Sequence, residues 1–150
     1  MSQVGETALD AISKTQSEIK FVYVAFVGSW FCFVFMVHTM NRPLHSVSSW
    51  VLGGLVFAAV YATIVGFVMR KKFFGHSAQA LSVDLPKALK FWKVAHIIGF
   101  CCAIDLALFG SVLKFLGSSW LVPGIFFGLS LGFLLLWRPR QLAQSGVQPA

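Results

Sequence analysis

Four long runs of apolar residues, separated by short polar segments, dominate the chain. They cover about residues 21–40, 50–69, 91–113 and 119–137, and each is followed within two residues by Lys or Arg. An α-helix needs about 20 apolar residues to cross the ~30 Å hydrocarbon core of a bilayer. The pattern therefore predicts an all-α membrane protein, built as a bundle of four transmembrane helices.

The segments outside these runs are polar, and we expect them outside the bilayer. Residues 1–18 are predicted to be an N-terminal cytoplasmic arm, either a short interfacial helix or a disordered segment, and residues 141–150 a C-terminal cytoplasmic tail. The transmembrane domain between them covers residues 19–140. A polar loop is predicted from the end of the second run to Asp84, which is placed to cap the third helix.

The composition of the chain also indicates lipid as its solvent. Hydrophobic residues make up 57% of the chain and charged residues 11%, and the mean hydropathy is +0.79. Soluble domains have about 45–50% apolar and about 25% charged residues. The net charge of +7 does not indicate nucleic-acid binding, because the basic residues lie at the ends of apolar runs, where phospholipid headgroups would be.

The basic residues are divided unequally between the two sides of the predicted bundle. Of the 12 Lys and Arg residues, only Arg42 and Lys114 lie on the side opposite the two termini. Short cytoplasmic loops of membrane proteins are enriched in Lys and Arg. This distribution predicts that both termini are cytoplasmic, and the compact chain without an Arg-rich presequence favours a cell inner membrane.

The two halves of the chain align without a gap when one is shifted by 70 residues. The Ser-Ser-Trp sequence that ends at Trp50 recurs at Trp120, and Arg70 matches Arg140. This predicts two tandem helical hairpins that form a parallel internal repeat, although two unrelated hairpins that obey the same interface rules are an alternative. The four residues named here are the predicted anchors at the membrane surfaces.

Small residues recur at intervals of four in three of the runs, which places each set on one helix face. Such residues allow the backbones of membrane helices to approach closely. Packing within the bundle is one interpretation, and docking of another subunit, above all through the fourth run, is the other. The predicted packing residues are Gly54, Ala58, Ala62 and Gly66 in the second run, Gly99 and Ala103 in the third, and Gly124, Gly128 and Gly132 in the fourth.

Three polar residues inside the runs are candidate functional residues: Asp105, His38 and His96. A charged Asp at the centre of a membrane helix costs about 2.5–3.5 kcal/mol, so Asp105 should face protein or water, be protonated, or be paired. His38 is a possible partner if the first and third helices touch. A structural hydrogen bond, a proton- or ion-related role and pairing with another subunit all fit this residue.

The sequence carries no enzyme motif and no metal-binding cluster, so we predict no catalytic residues, no metal and no cofactor. The first functional hypothesis is a non-catalytic accessory or assembly subunit of a larger membrane protein complex. The second is a small proton, ion or solute transporter or channel that acts as a homo-oligomer through Asp105. The third is a haem- or quinone-associated subunit that uses His38 or His96. The expected partners are the lipid bilayer and either other membrane subunits or a second copy of the chain.

Overall fold

The computed structural model describes residues 2–39, 48–81 and 83–139, with side chains from residue 8 onward. These residues form four α-helices: α1 (Ser2–Thr39), α2 (Ser49–Ala80), α3 (Leu85–Phe115) and α4 (Leu121–Leu136). The helices α1, α2 and α3 are long and apolar enough to cross a membrane. The helix α4 is apolar but has 16 residues, which corresponds to a length of ~24 Å.

Two of the helices are longer than the apolar runs that predict them. The helix α1 continues without a break through residues 2–18, and α2 continues through residues 70–80, where the sequence indicated a loop. The extension of α2 packs against the start of α3. Its Ser77 hydroxyl donates a hydrogen bond to the Ala88 carbonyl at 2.9 Å, and the Phe73 ring lies 6.0 Å from the Phe91 ring. Tertiary contact therefore keeps these polar residues helical.

The start of α3 follows the prediction. The Asp84 side chain accepts a hydrogen bond from the Lys87 backbone N–H at 3.2 Å, and Pro86 occupies the first turn. This bond satisfies one of the backbone donors that a helix leaves free at its N-terminus.

The helix α3 is the centre of the bundle and contacts α1, α2 and α4. Cross-contacts show that α1 runs parallel to α3, because Glu18 meets Lys93 and Tyr23 meets Phe100. The helices α2 and α4 run antiparallel to α3. No Cα atom of α1 lies within 8 Å of one of α2 among the described residues.

The predicted arrangement of two tandem hairpins is not confirmed. The helices α3 and α4 pack closely, whereas the Cα atoms of their counterparts α1 and α2 stay more than 8 Å apart in the described part of the chain. The matching positions of the two halves also differ in side-chain size. Ala103 and Ala107 of α3 are fully buried, and the residues 70 positions earlier on α1 are Phe33 and Val37, which pack in the same hydrophobic core.

One end of the bundle collects most of the described Lys and Arg residues, and we call it the basic end. The first parts of α1 and α3 and the last parts of α2 and α4 meet there. Lys93 forms a salt bridge with Glu18, with 2.6 Å between Nζ and Oε2, and both side chains remain partly exposed. The other basic residues of this end are Lys14, Lys20, Arg70, Lys71, Lys72, Lys87, Lys90 and Arg138.

Candidate functional site

One face of α3 is left uncovered by the other helices. Its residues are three or four positions apart, so they lie along one side of the helix. On one side of this face, Phe100 contacts Tyr23 and Phe26 of α1; on the other, Cys102 lies against Gly66 of α2. Because the Cα atoms of α1 and α2 stay more than 8 Å apart among the described residues, this face forms the floor of an open groove between them, which we call the α3 groove. Its exposed floor residues are Cys101, Asp105, Leu108 and Val112.

Asp105 is the only acidic residue on this floor, and it is exposed within an apolar stretch. It forms no hydrogen bond or ion pair with any residue that the structure describes. The pairing with His38 that the sequence suggested does not form. Instead, the His38 ring lies 5.8 Å from the Trp120 ring, on the side of α1 that faces α4. The α3 groove therefore presents a carboxyl group to whatever fills it.

The small residues of α3 and part of those of α2 pack inside the bundle. Gly99 and Ala103 are buried, and a Cβ atom at Gly99 would come within 3.0 Å of the Trp137 ring. A Cβ atom at Gly66 would overlap the Cys102 Sγ atom, whereas Gly54 has open space around it. Ala58 and Ala62 are half-buried.

The glycines of α4 face outward. Gly124, Gly128 and Gly132 are exposed, and a Cβ atom built on each of them would meet nothing within 4 Å. Large apolar side chains of the same helix, such as Leu121 and Leu129, are exposed beside them. This glycine row does not serve packing within the described bundle, which leaves it available to lipid or to another helix.

A cavity of about 340 Å³ opens at the basic end. It exists because α4 ends at Leu136, near the level of Gly99, while α2 and α3 continue past that level. Sequence reasoning did not find this cavity, since the residues that line it are scattered over three helices and share no motif. They are Arg70, Phe74, Trp92, His96, Leu136, Trp137 and Arg138.

Arg70 was predicted to be a surface anchor, and the structure places it partly inside the cavity. Its guanidinium carbon lies 4.8 Å from the ring centroids of both Phe74 and Trp137. Such stacking over aromatic faces is favourable for a guanidinium group. The Nε atom of Arg70 is nevertheless buried and has no hydrogen-bond partner among the described residues.

His96 is buried beside Arg70 in the wall of the same cavity. Its Nδ1 donates to the Trp92 carbonyl at 3.0 Å, and its ring lies 4.2 Å from the Trp92 ring and 5.2 Å from the Phe74 ring. His96 thus lies at the basic end and His38 near the other end, so the two cannot ligate the same iron within one chain. The described residues contain no group of three or more His, Cys, Asp or Glu side chains that could hold a metal ion.

The other predicted anchors differ in their surroundings. Trp50 is 91% exposed at the start of α2, as a side chain inserted among headgroups would be. The Trp120 ring lies 5.1 Å from the Lys114 ammonium group at the end opposite the basic end. Arg140 lies outside the described residues. Comparison of the chain with protein-family models, with curated proteins and with solved structures finds no match.

Proposed function

We propose that this small multi-pass membrane protein is a non-catalytic accessory or assembly subunit of a larger membrane protein complex. In this proposal, a transmembrane helix of the partner lies in the α3 groove. The observation that carries it is the exposure of Asp105 on the floor of a groove whose other floor residues are Cys, Leu and Val.

The energetic argument is one of compensation. Exposing a charged Asp to hydrocarbon costs about 2.5–3.5 kcal/mol, and acidic residues in membrane helices nearly always face protein, water or a partner. Asp105 faces none of its own helices. A partner helix that places a hydrogen-bond donor or a basic side chain opposite Asp105 would remove this cost.

The exposed apolar surface of the chain supports the same proposal. In the most apolar window of α1 and of α2, only 11% of the residues are buried inside the bundle, against 50% for α3. The outward glycine row of α4 adds a second surface on which another helix could approach closely. Lipid can cover these apolar faces, but it offers no partner to a charged Asp105, whereas a protein partner can cover the faces and pair with Asp105.

We further propose that all four helices cross a cell inner membrane and that both termini are cytoplasmic, with the basic end at the cytoplasmic surface. The unequal distribution of Lys and Arg supports this orientation. The ~24 Å helix α4 would have to thin the bilayer locally, as short spans do. Reporter fusions after Ala150 that respond as if outside the cell would reject the orientation.

Blue-native electrophoresis of the tagged full chain, extracted from membranes in a mild detergent, tests the proposed role. We expect wild type to migrate with a second polypeptide and Asp105→Leu to release it, because an apolar residue leaves the partner's polar group unpaired. Leu129→Ala on the outer face of α4 is the matched control and should keep the complex. Migration of wild type as a monomer would reject the proposal.

Cross-linking from the α3 groove identifies the surface to which the partner binds. Replacing Cys32 and Cys102 by Ala leaves Cys101 as the single thiol, one helical turn from Asp105. A thiol-linked photo-cross-linker on Cys101 should capture the partner, whereas the same reagent on Leu129→Cys in a background without other cysteines should not. Capture from Leu129→Cys alone would place the interface on α4 instead.

The second candidate is a transporter or channel that acts as a homo-oligomer through Asp105. The exposure of this carboxyl group favours it, since two grooves facing each other would enclose two acidic groups. The cross-linked product from Cys101 would then be a dimer of this chain. Flux in proteoliposomes should fall in Asp105→Asn, and unchanged flux would remove Asp105 from the mechanism.

A further inference from the structure

The cavity at the basic end holds two arginines and no acidic side chain among the residues that line it. Arg70 enters from α2, and Arg138 follows the end of α4. The salt bridge of this end, between Glu18 and Lys93, lies outside the cavity lining. The positive charge of the cavity is therefore not neutralised by the residues that form it.

Arg70 carries the clearest sign of a missing group. Its guanidinium plane is held by Phe74 and Trp137, which fixes its position but provides no hydrogen-bond acceptor. Its Nε atom is buried beside Gly99 of α3 and has no hydrogen-bond partner within the described part of the chain. A buried donor that is left unsatisfied is unfavourable, and for a charged group the penalty is larger. An anion in the cavity would accept hydrogen bonds from the terminal nitrogens of this guanidinium group, for which no acceptor is found among the described residues.

The position of the cavity along the helices indicates which class of anion it binds. Arg70 ends the apolar part of α2, at the level where phospholipid phosphates lie in the proposed orientation of the chain. Basic pockets between membrane helices on the cytoplasmic side are typical binding sites for anionic lipid headgroups. Trp92, Trp137 and Leu136 supply apolar walls beside the two guanidinium groups, which suits a phosphate group attached to a glycerol backbone.

We propose that this cavity binds a phosphate group, with Arg70 as its main ligand and Arg138 as a second cation. The phosphate belongs either to an anionic phospholipid or to free inorganic phosphate, and both present the same oxygen acceptors to an arginine. His96 forms the wall behind Arg70, with Nδ1 engaged by the Trp92 carbonyl. This site is separate from the α3 groove, so a negative result here would leave the proposed role as a subunit untouched, and the reverse also holds.

Titration of the purified full chain in a neutral detergent tests the site. The probes are dihexanoyl-phosphatidylglycerol, dihexanoylglycerol, which lacks the phosphate, and inorganic phosphate. Trp92 and Trp137 line the cavity, so tryptophan fluorescence reports binding, with calorimetry as an independent measurement. Wild type should bind at least one phosphate-bearing probe saturably and dihexanoylglycerol much more weakly.

The variants separate this site from general attraction to the basic end. Arg70→Gln should weaken binding about 10- to 100-fold, the range expected for loss of charge-assisted hydrogen bonds. Lys71→Gln removes the same charge from the next, exposed position and should change binding less than about threefold, as expected for a screened surface charge. Arg138→Gln, which alters an exposed residue beyond α4, provides a second test should Arg70→Gln fail to fold.

The outcomes are distinct. Tighter binding of phosphatidylglycerol than of inorganic phosphate, lost in Arg70→Gln, supports a lipid headgroup as the ligand. If Arg70→Gln weakens the binding of both probes equally and inorganic phosphate binds more tightly than phosphatidylglycerol, the result supports free phosphate as the ligand. Equal losses in Arg70→Gln and Lys71→Gln, equal binding of dihexanoylglycerol, or the absence of saturable binding would overturn the proposal.

Discussion

Gly66 lies at a close approach of α2 to α3, and its replacement by Ala should destabilise the protein. A Cβ atom at this position would overlap Cys102 Sγ and would lie 3.2 Å from Cys102 Cβ. Cys102 must therefore rotate, or the two helices must separate. Overpacking of this kind costs ~1–3 kcal/mol. A gain of about 1 kcal/mol for Gly→Ala inside a helix offsets part of this cost, so we expect a net loss of up to about 2 kcal/mol.

A double-mutant cycle with Cys102→Ala tests the origin of this loss. Removing Sγ leaves only the 3.2 Å contact with Cβ, which a small shift can relieve. Gly66→Ala should then cost at least about 1 kcal/mol less in the Cys102→Ala background than alone, within the range seen for directly contacting residues. Gly53→Ala is the matched control on the same helix, because its Cβ atom would meet nothing within 4 Å.

Unfolding by SDS titration in maltoside micelles, followed by circular dichroism, measures all five proteins under one condition. Equal stability of Gly66→Ala and Gly53→Ala would show that α2 does not lie against α3 as described. A cost of Gly66→Ala that stays the same without Sγ would show that the clash is not with Cys102. Either result would refute the packing on which the position of the α3 groove depends.

Three further substitutions probe other contacts of α3. Gly110→Ala should lose up to about 2 kcal/mol in the same assay, because its Cβ atom would lie 3.1 Å from a backbone carbonyl of α4 that cannot rotate away, and helix propensity offsets about 1 kcal/mol of that cost. Ser130→Ala removes a buried hydrogen bond of 2.5 Å to the Ala103 carbonyl and should cost about 1 kcal/mol or less, as such bonds do in membrane proteins. An unchanged free energy of unfolding would show that this bond does not contribute to stability. Asp84→Ala should cost about 1 kcal/mol and speed hydrogen exchange at the Lys87 amide, whereas unchanged exchange would mean that the cap is not formed.

The helical class of the fold could be predicted from the sequence, because long apolar runs have few other solutions in lipid. The extents of the helices could not. Residues 70–80 are polar, and their helical structure depends on contacts with the start of α3, such as that between Ser77 and Ala88. Periodicity within a segment does not reveal a neighbour that lies in another segment.

The candidate site was predictable in part. Asp105 is conspicuous because acidic residues are costly in a membrane helix, but its partner depends on how the helices are arranged, and the proposed pairing with His38 did not form. The cavity around Arg70 depends on α4 ending earlier than α2 and α3. Such a difference in helix length becomes visible only when the packed helices are compared, and no local sequence pattern predicts it.

The special position of α3 can be traced to a few residues that distinguish it from α1. Seventy residues before Ala103 the chain has Phe33, and seventy before Asp105 it has Phe35. The small residue lets the neighbouring helices approach α3, while the acidic residue lies on the one face that they leave open. The helix α3 is packed by α1, α2 and α4 on three sides, and only its fourth side stays open. A central helix that still exposes a carboxyl group offers both a packing surface and a polar group to one more helix. For this reason we place the partner on α3 rather than on the apolar faces of α1 or α2.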